Sequence, residues 1–297
     1  MKNVFGKEIC FSPEIKGIKF KNPILTASGT CGFGVELKDF FELSSIGGIV
    51  LKGTTLLPKD GNECPRIAEF NGGIVNSIGL QNPGINGFIN DISPKLYNCN
   101  TNIITNISGN TIDEYQQMCE IIENEKVIDC IEINISCPNV KMGGISFGTD
   151  SNTVFELVSN CRAITSKPLI VKLTPNITDI TKIALSAQKA GADAVTCINT
   201  FKGLLFDIEK NDFSLKNIVG GVSGPAIKPM ALFAVYECAK VLDIPIIGVG
   251  GIMNFNDALE FLKVGASAVQ IGTATFKDPA NPAIIARLIE REWGKYD

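Results

Sequence analysis

Eight short apolar runs, bounded by Gly, Pro or Asn and separated by helix-like segments, constrain this chain more than any other feature. In order they are PILTAS (23–28), GGIVLKG (47–53), NIITNIS (102–108), CIEINIS (130–136), PLIVKLT (168–174), DAVTCIN (193–199), PIIGVGG (245–251) and AVQIGTA (268–274). Continuous apolar strands alternating with amphipathic helices predict a parallel sheet covered on its outer face. Helices are expected over 178–190, 226–242 and 255–264. The stretches KAGADAV (189–195) and KVGASAV (263–269) are near copies. In each, a helix ends on Gly and a strand follows directly. Eight such units predict an α/β chain closed into a (β/α)8 TIM barrel, with its active site at the C-terminal ends of the strands. A doubly wound open sheet is the structural alternative, but the count of eight and the paired endings favour closure. A chain of 297 residues commonly forms one such unit, and no composition shift divides it. One domain over 1–297 is expected.

Composition narrows the function classes. Hydrophobic residues make up 45% and charged residues 20%, enough for a large core and unlike a disordered chain. The net charge of −4 comes with no basic run, which argues against a nucleic-acid partner. The start, MKNVFGKEIC, lacks the apolar segment of a signal peptide, and no apolar run reaches membrane-spanning length. A cytoplasmic protein with no membrane partner is expected. Ten cysteines then sit in a reducing compartment, where disulfides are rare, and no C-x-x-C spacing suggests zinc or an iron–sulfur cluster. Most read as core filler, and no metal is expected.

Histidine is absent. That removes Ser-His and Cys-His nucleophile pairs, H-E-x-x-H zinc sites and any imidazole base. Proton transfer falls to Cys, Lys, Tyr or a carboxylate. The stretch EINISCPN (132–139) supplies one candidate. A strand-like alternation through Ile131, Ile133 and Ile135 stops at Ser136-Cys137-Pro138-Asn139, with Asn134 facing away from the isoleucines. Cys137 is either a small apolar residue absorbed by the core or a thiol at the mouth of a pocket.

Other strand ends supply polar partners. The first offers Ser28, the second Lys52 and Gly53, the third Asn106, the fourth Asn134. The fifth offers Lys172, the sixth Asn199 and Thr200, and the last two Gly250, Gly251, Gly272 and Thr273. Lys172, inside LIVKLTP, would carry a large desolvation cost unless an anion or acceptor received it; a side chain snorkelling to the rim is the bland reading. Asn106 and Asn134, disfavoured in strands, would form with the two lysines a polar ring suited to a heterocycle. Gly224, GVGG (248–251) and IGTA (271–274) open the last helices, where barrels often cradle a phosphate. Two excursions, 54–84 and 200–223, are long enough for lids or binding loops. The first contains NSIGLQNPG (76–84), and spacing alone does not separate an irregular turn from a ligand-binding segment.

With these residues assembled, the chain resembles the cytosolic class 1 dihydroorotate dehydrogenases. The motifs NPILTASGTCGFG, KGTT, NSIGLQNPG, INISCPNVKMGG, FGTD, VKLTP, INT, GGVSGPAIKP, GVGGI and IGTA stand in the family's order over nearly the whole length. SCPNV followed by Lys and Gly-Gly most resembles class 1B, the NAD-linked catalytic subunit; the serine base and N-terminal extension of class 2 are not seen. The resemblance implies FMN at the barrel mouth, held by Ser28, Lys52, Gly53, Asn106, Asn134, Lys172, Ile198, Gly224, Gly250, Gly251, Gly272 and Thr273. It implies dihydroorotate held by Lys52, Asn76, Ser77, Ile78, Gly79, Leu80, Asn134, Asn199 and Thr200. Cys137 becomes the general base, removing a proton from C5 while hydride passes from C6 to the flavin N5, with Pro138 helping to fix its loop. Lys172 would offset charge developing on the flavin N1–O2 edge. A free thiol titrates near about 8.5, so lysines or backbone dipoles must favour the thiolate.

The resemblance also implies a partner. No G-x-G-x-x-G follows a strand, so FAD and a [2Fe–2S] cluster are expected in an electron-transfer subunit that reduces NAD, in a heterotetramer of two catalytic and two electron-transfer chains. A class 1A homodimer reducing fumarate is the alternative. A tRNA dihydrouridine synthase would require an RNA-binding domain and a basic surface, and an aldolase or isomerase using Lys172 in a Schiff base would lack flavin.

Overall fold

A computed structural model describes residues 1–136, 138–139 and 145–296 of the chain. Eight strands close into a parallel barrel in sequence order. They are β1 (Ile24–Thr26), β2 (Gly48–Val50), β3 (Asn102–Ile107), β4 (Cys130–Asn134), β5 (Leu169–Lys172), β6 (Ala194–Cys197), β7 (Ile246–Val249) and β8 (Ala268–Ile271). Every apolar run singled out in the sequence contains one of them. Each strand stops one to three residues before its run does, and the residues just inside or just past its C-terminal end form the site.

The helices covering the barrel are α1 (Ile112–Glu123), α2 (Ser151–Ile164), α3 (Ile180–Lys189), α4 (Lys228–Ala239), α5 (Phe255–Lys263), the short α6 (Ala274–Lys277) and α7 (Asn281–Glu292). Side-chain oxygens fix several starts. Thr111, Asp150, Asp179 and Asn254 accept from backbone N–H groups of the first turns of α1, α2, α3 and α5, satisfying donors that a helix start leaves free. The near-copy endings of α3 and α5 adopt the same geometry. Gly191 and Gly265 take φ of 98° and 124°, and Ala192 and Ala266 donate back to Ala187 and Phe261 at 3.0 Å, the paired bonds of a Schellman ending.

The core has two parts. A large shell packs the outward side chains of the strands against the helices. Inside the barrel, Leu25, Val50, Ile104, Cys130, Ile170, Ala194, Ile247 and Ala268 form an apolar plug, closed below by Ile15 and Phe20 of an N-terminal hairpin. Seven of the nine described cysteines are buried, as filler would be. Among the described residues, no helix is long and apolar enough to cross a membrane.

The two excursions meet. Phe201–Gly203, Gly220–Ser223, Gly73–Asn76 and Ile67–Phe70 pair, in that order, as a four-stranded antiparallel sheet. Strand pairing, rather than independent loops, builds the wall above the strand ends.

Candidate active site

A cavity of about 510 Å³ opens at the C-terminal ends of the barrel strands, within the range of small-molecule and cofactor sites. Asn106, Asn134 and Lys172 reach it from β3, β4 and β5. Ser28, Lys52 and Gly53 follow β1 and β2, while Ile198, Asn199 and Thr200 follow β6. Gly224, Gly250, Gly251, Gly272 and Thr273 line it near the starts of the last helices, and Asn76, Ser77, Ile78, Gly79 and Leu80 line it from the first excursion. The fold thus gathers into one cavity every site residue expected from the sequence that it describes. Cys137 lies outside the described residues, directly after Ser136.

Hydrogen bonds fix the polar groups. Asn199 Nδ2 donates to Asn134 Oδ1 at 3.1 Å and to Ser136 Oγ at 2.8 Å, tying the end of β6 to that of β4. Ser136 N also donates to Asn134 Oδ1. The fully buried Tyr115 of α1 donates from its hydroxyl to the Asn134 carbonyl at 2.7 Å. On the opposite wall, Asn76 Nδ2 donates to Gly221 O at 3.2 Å, and Thr273 Oγ1 to Ser223 Oγ at 2.9 Å. Ser77 Oγ accepts from Asn62 and Asn217. The segment that spacing could not classify is therefore a fixed part of the cavity wall.

Electrostatics set the lysines apart. Burial, and then the guanidinium of Arg66, lower the pKa of Lys52 from 10.5, opposed by Glu36. Arg66 itself lines the cavity and donates to Gln81 Oε1 at 2.6 Å. Near the glycines, Lys228 at the start of α4 bonds Asp257 at 2.6 Å and Glu260 at 3.0 Å, clipping α4 to α5. Those carboxylates raise its pKa against the opposing effect of burial.

Sequence reasoning missed the groups beneath the cavity. Glu132, fully buried on β4, accepts from Asn106 Nδ2 and Gln270 Nε2 at 2.7 Å and from Thr196 Oγ1 at 2.8 Å. Lys172 Nζ lies 3.7 Å from Glu132 and donates to Gln270 Oε1 at 3.3 Å. The desolvation argument applied to Lys172 would have found Glu132 and Gln270, both set in apolar strands. Tyr115 carried no such signal, since an aromatic on the inner face of an amphipathic helix reads as core.

This donor set suits a heterocycle bearing a phosphate. Amide and ammonium groups from three adjacent strands converge on the floor. Near the last helices, Gly224, Gly250 and Gly251 take φ of 107°, 134° and 72°. A Cβ on Gly251 would lie 2.7 Å from Lys228 Cβ and 2.9 Å from Gly224 O, so only glycine lets the two loops meet there.

Comparison with known proteins places this cavity in context. A family model described as dihydroorotate dehydrogenase matches residues 11–292. The chain is similar to proteins named dihydroorotate dehydrogenase B (NAD(+)), catalytic subunit. That of Geotalea daltonii is 51% identical over 279 residues, 94% of this chain and 92% of that protein. The protein of Bacteroides thetaiotaomicron is 50% identical over 269 residues, 91% and 89% of the two chains. The one from Petrotoga mobilis is 52% identical over 276 residues, 93% and 91%. The chain belongs to the dihydroorotate dehydrogenase family.

Proposed function

We propose that this chain is the catalytic subunit of an NAD-linked dihydroorotate dehydrogenase, oxidising dihydroorotate to orotate for pyrimidine biosynthesis in the cytoplasm. The observation that carries the reading is the convergence of Lys52, Asn76, Asn106, Asn134, Lys172 and Asn199 on one cavity at the barrel mouth, in a chain with close relatives of that name. The whole of 1–297 acts as one FMN-binding domain.

The cavity's composition fits FMN. Lys172, Asn106 and Asn134 would meet the ring system, with Ser28, Gly53 and Ile198 beside it. Gly224, Gly250, Gly251, Gly272 and Thr273 would take the phosphate. When bound, FMN supplies a two-electron acceptor for the hydride leaving C6 of the substrate. Lys52 offers an ammonium to the substrate carboxylate. Asn76 to Leu80 and Thr200 shape the opposite wall, and Asn134 and Asn199, locked together through Asn134 Oδ1, present fixed amides to the substrate's carbonyl and N–H groups. Cys137 serves as general base for the C5 proton. Lys172 is a preorganised cation aimed where negative charge develops. The antiparallel sheet from the two excursions restricts water at the mouth.

Electrons leave through a separate subunit carrying FAD and a [2Fe–2S] cluster, in a heterotetramer with two copies of each chain. The word "subunit" in the relatives' names supports a partner. The test is co-expression with and without a candidate partner. Dihydroorotate-dependent NAD reduction by the complex, with little fumarate-dependent turnover by the isolated chain, is expected. Efficient fumarate reduction by the chain alone would assign it to the homodimeric class 1A instead.

A further inference from the structure

Under the cavity floor, five side chains from five strands share one network. Glu132 stands at its centre with both carboxylate oxygens occupied. Oε1 accepts from Asn106 and faces the Lys172 ammonium; Oε2 accepts from Thr196 and Gln270. Asn106 and Lys172 line the cavity, whereas Glu132, Thr196 and Gln270 do not. Glu132 therefore cannot serve as a ligand contact, yet it touches two groups that can.

A carboxylate with no exposed surface is expensive. Desolvating an ion costs several kcal/mol, and well-packed apolar residues often replace a buried pair without loss of stability (on the order of 1–4 kcal/mol gained in some cases). Just below, the same barrel fills its interior with Ile104, Cys130, Ile170 and Ile247. Packing alone does not call for a charge one layer higher.

We propose that Glu132 is a positioning residue that sets the redox balance of the flavin through Lys172 and Asn106. This rests on the reading that FMN occupies the cavity. Two effects follow from the geometry. As an acceptor without donors, the carboxylate draws Asn106 Nδ2 inward and leaves Asn106 Oδ1 toward Gly53, where an added Cβ would lie 3.1 Å from it; both residues line the cavity. Its negative charge also opposes the ammonium of Lys172. An uncompensated lysine beside the ring would favour the electron-rich reduced flavin. The pair is close to neutral as a unit, which keeps reduced flavin a good enough donor to pass its electrons onward.

The test compares holoenzymes of wild type, Glu132→Gln, Lys172→Met and the double variant. Midpoint potentials come from equilibration with redox dyes, and affinities for oxidised FMN from titration of the apoprotein. Glu132→Gln is expected to shift the ratio of reduced to oxidised affinity at least tenfold toward the reduced form, about +30 mV for a two-electron couple. Lys172→Met shifts it the other way, and the double variant returns toward wild type. Glu132→Asp, which keeps the charge, restores most of the potential. An unchanged or lowered potential in a folded, FMN-loaded Glu132→Gln variant would overturn the proposal and leave the residue a structural one. Should that variant fail to fold, the double variant must still lie above Lys172→Met in potential, and equal potentials for the two would overturn the proposal. A wild-type chain that takes up no FMN defeats the underlying reading, whereas a loaded wild type with an indifferent Glu132→Gln defeats this inference alone.

Discussion

Tyr115→Phe removes one oxygen atom from a buried position and tests how the strand end bearing Asn134 is held. The hydroxyl donates to the Asn134 carbonyl at 2.7 Å. The ring itself is anchored independently, edge-on to Phe147 with centroids 5.7 Å apart and planes at 85°. Phenylalanine keeps that contact and the buried volume, so the change removes only what the hydroxyl contributes. Depriving a partly buried carbonyl of a donor costs up to about 1–3 kcal/mol. For a chain of this size each kcal/mol lowers the melting temperature by roughly 2 °C, which predicts a fall of about 2–6 °C. The consequence for function comes from what Asn134 carries. Its side chain accepts from Asn199 and from Ser136 N, and Ser136 leads directly into Cys137. Loosening this anchor is expected to weaken orotate binding about tenfold, the equivalent of about 1.4 kcal/mol, with FMN retained. Thermal unfolding and titration of the flavin spectrum with orotate measure the two effects. A variant with unchanged melting temperature and unchanged orotate affinity would refute the claim that α1 positions the end of β4.

Cys137→Ser is expected to lose most turnover near neutrality, while wild-type activity rises with pH through the thiol's titration; undiminished turnover in the variant would remove the cysteine from its role. Lys52 begins to lose its proton below the ordinary lysine value of 10.5, because burial and Arg66 disfavour the charged form. The KM for dihydroorotate should therefore climb with pH earlier than an ordinary lysine would cause, and stay level over that range in Lys52→Arg. Gly251→Ala places a Cβ against Lys228 and the Gly224 carbonyl at a φ of 72°. The left-handed conformation alone costs about 1–2 kcal/mol, so FMN affinity should fall at least tenfold in an apoprotein titration.

How far the sequence could be read depends on the range of the interactions concerned. Barrel strands declare themselves locally: β5 is a short apolar run after Pro168, and its partners on either side are short apolar runs after Asp129 and Asp193. Their ends do not. The run at 245–251 reads as one strand to Gly251, but Gly250 and Gly251 adopt positive φ and turn away to form the site. Site residues at strand ends were legible because a lysine or asparagine inside an apolar run contradicts its surroundings. Glu132 contradicts its own equally, and only the structure shows that it answers Lys172 across two adjacent strands. The pairing of 73–76 with 220–223 was not legible, since nothing local joins Asn76 to Gly221 across 145 positions. Tyr115 belongs to the same class: its apolar ring explains its place in α1, and the hydroxyl's partner lies on another element.

The central claim is that this cavity binds FMN and that dihydroorotate reduces it there. It is tested most directly by the visible spectrum of the purified chain, recorded without oxygen before and after adding dihydroorotate. A flavin spectrum that bleaches on addition is the predicted result, joining cofactor and substrate in one observation. A flavin that stays oxidised, or a colourless chain that FMN cannot reconstitute, would contradict it.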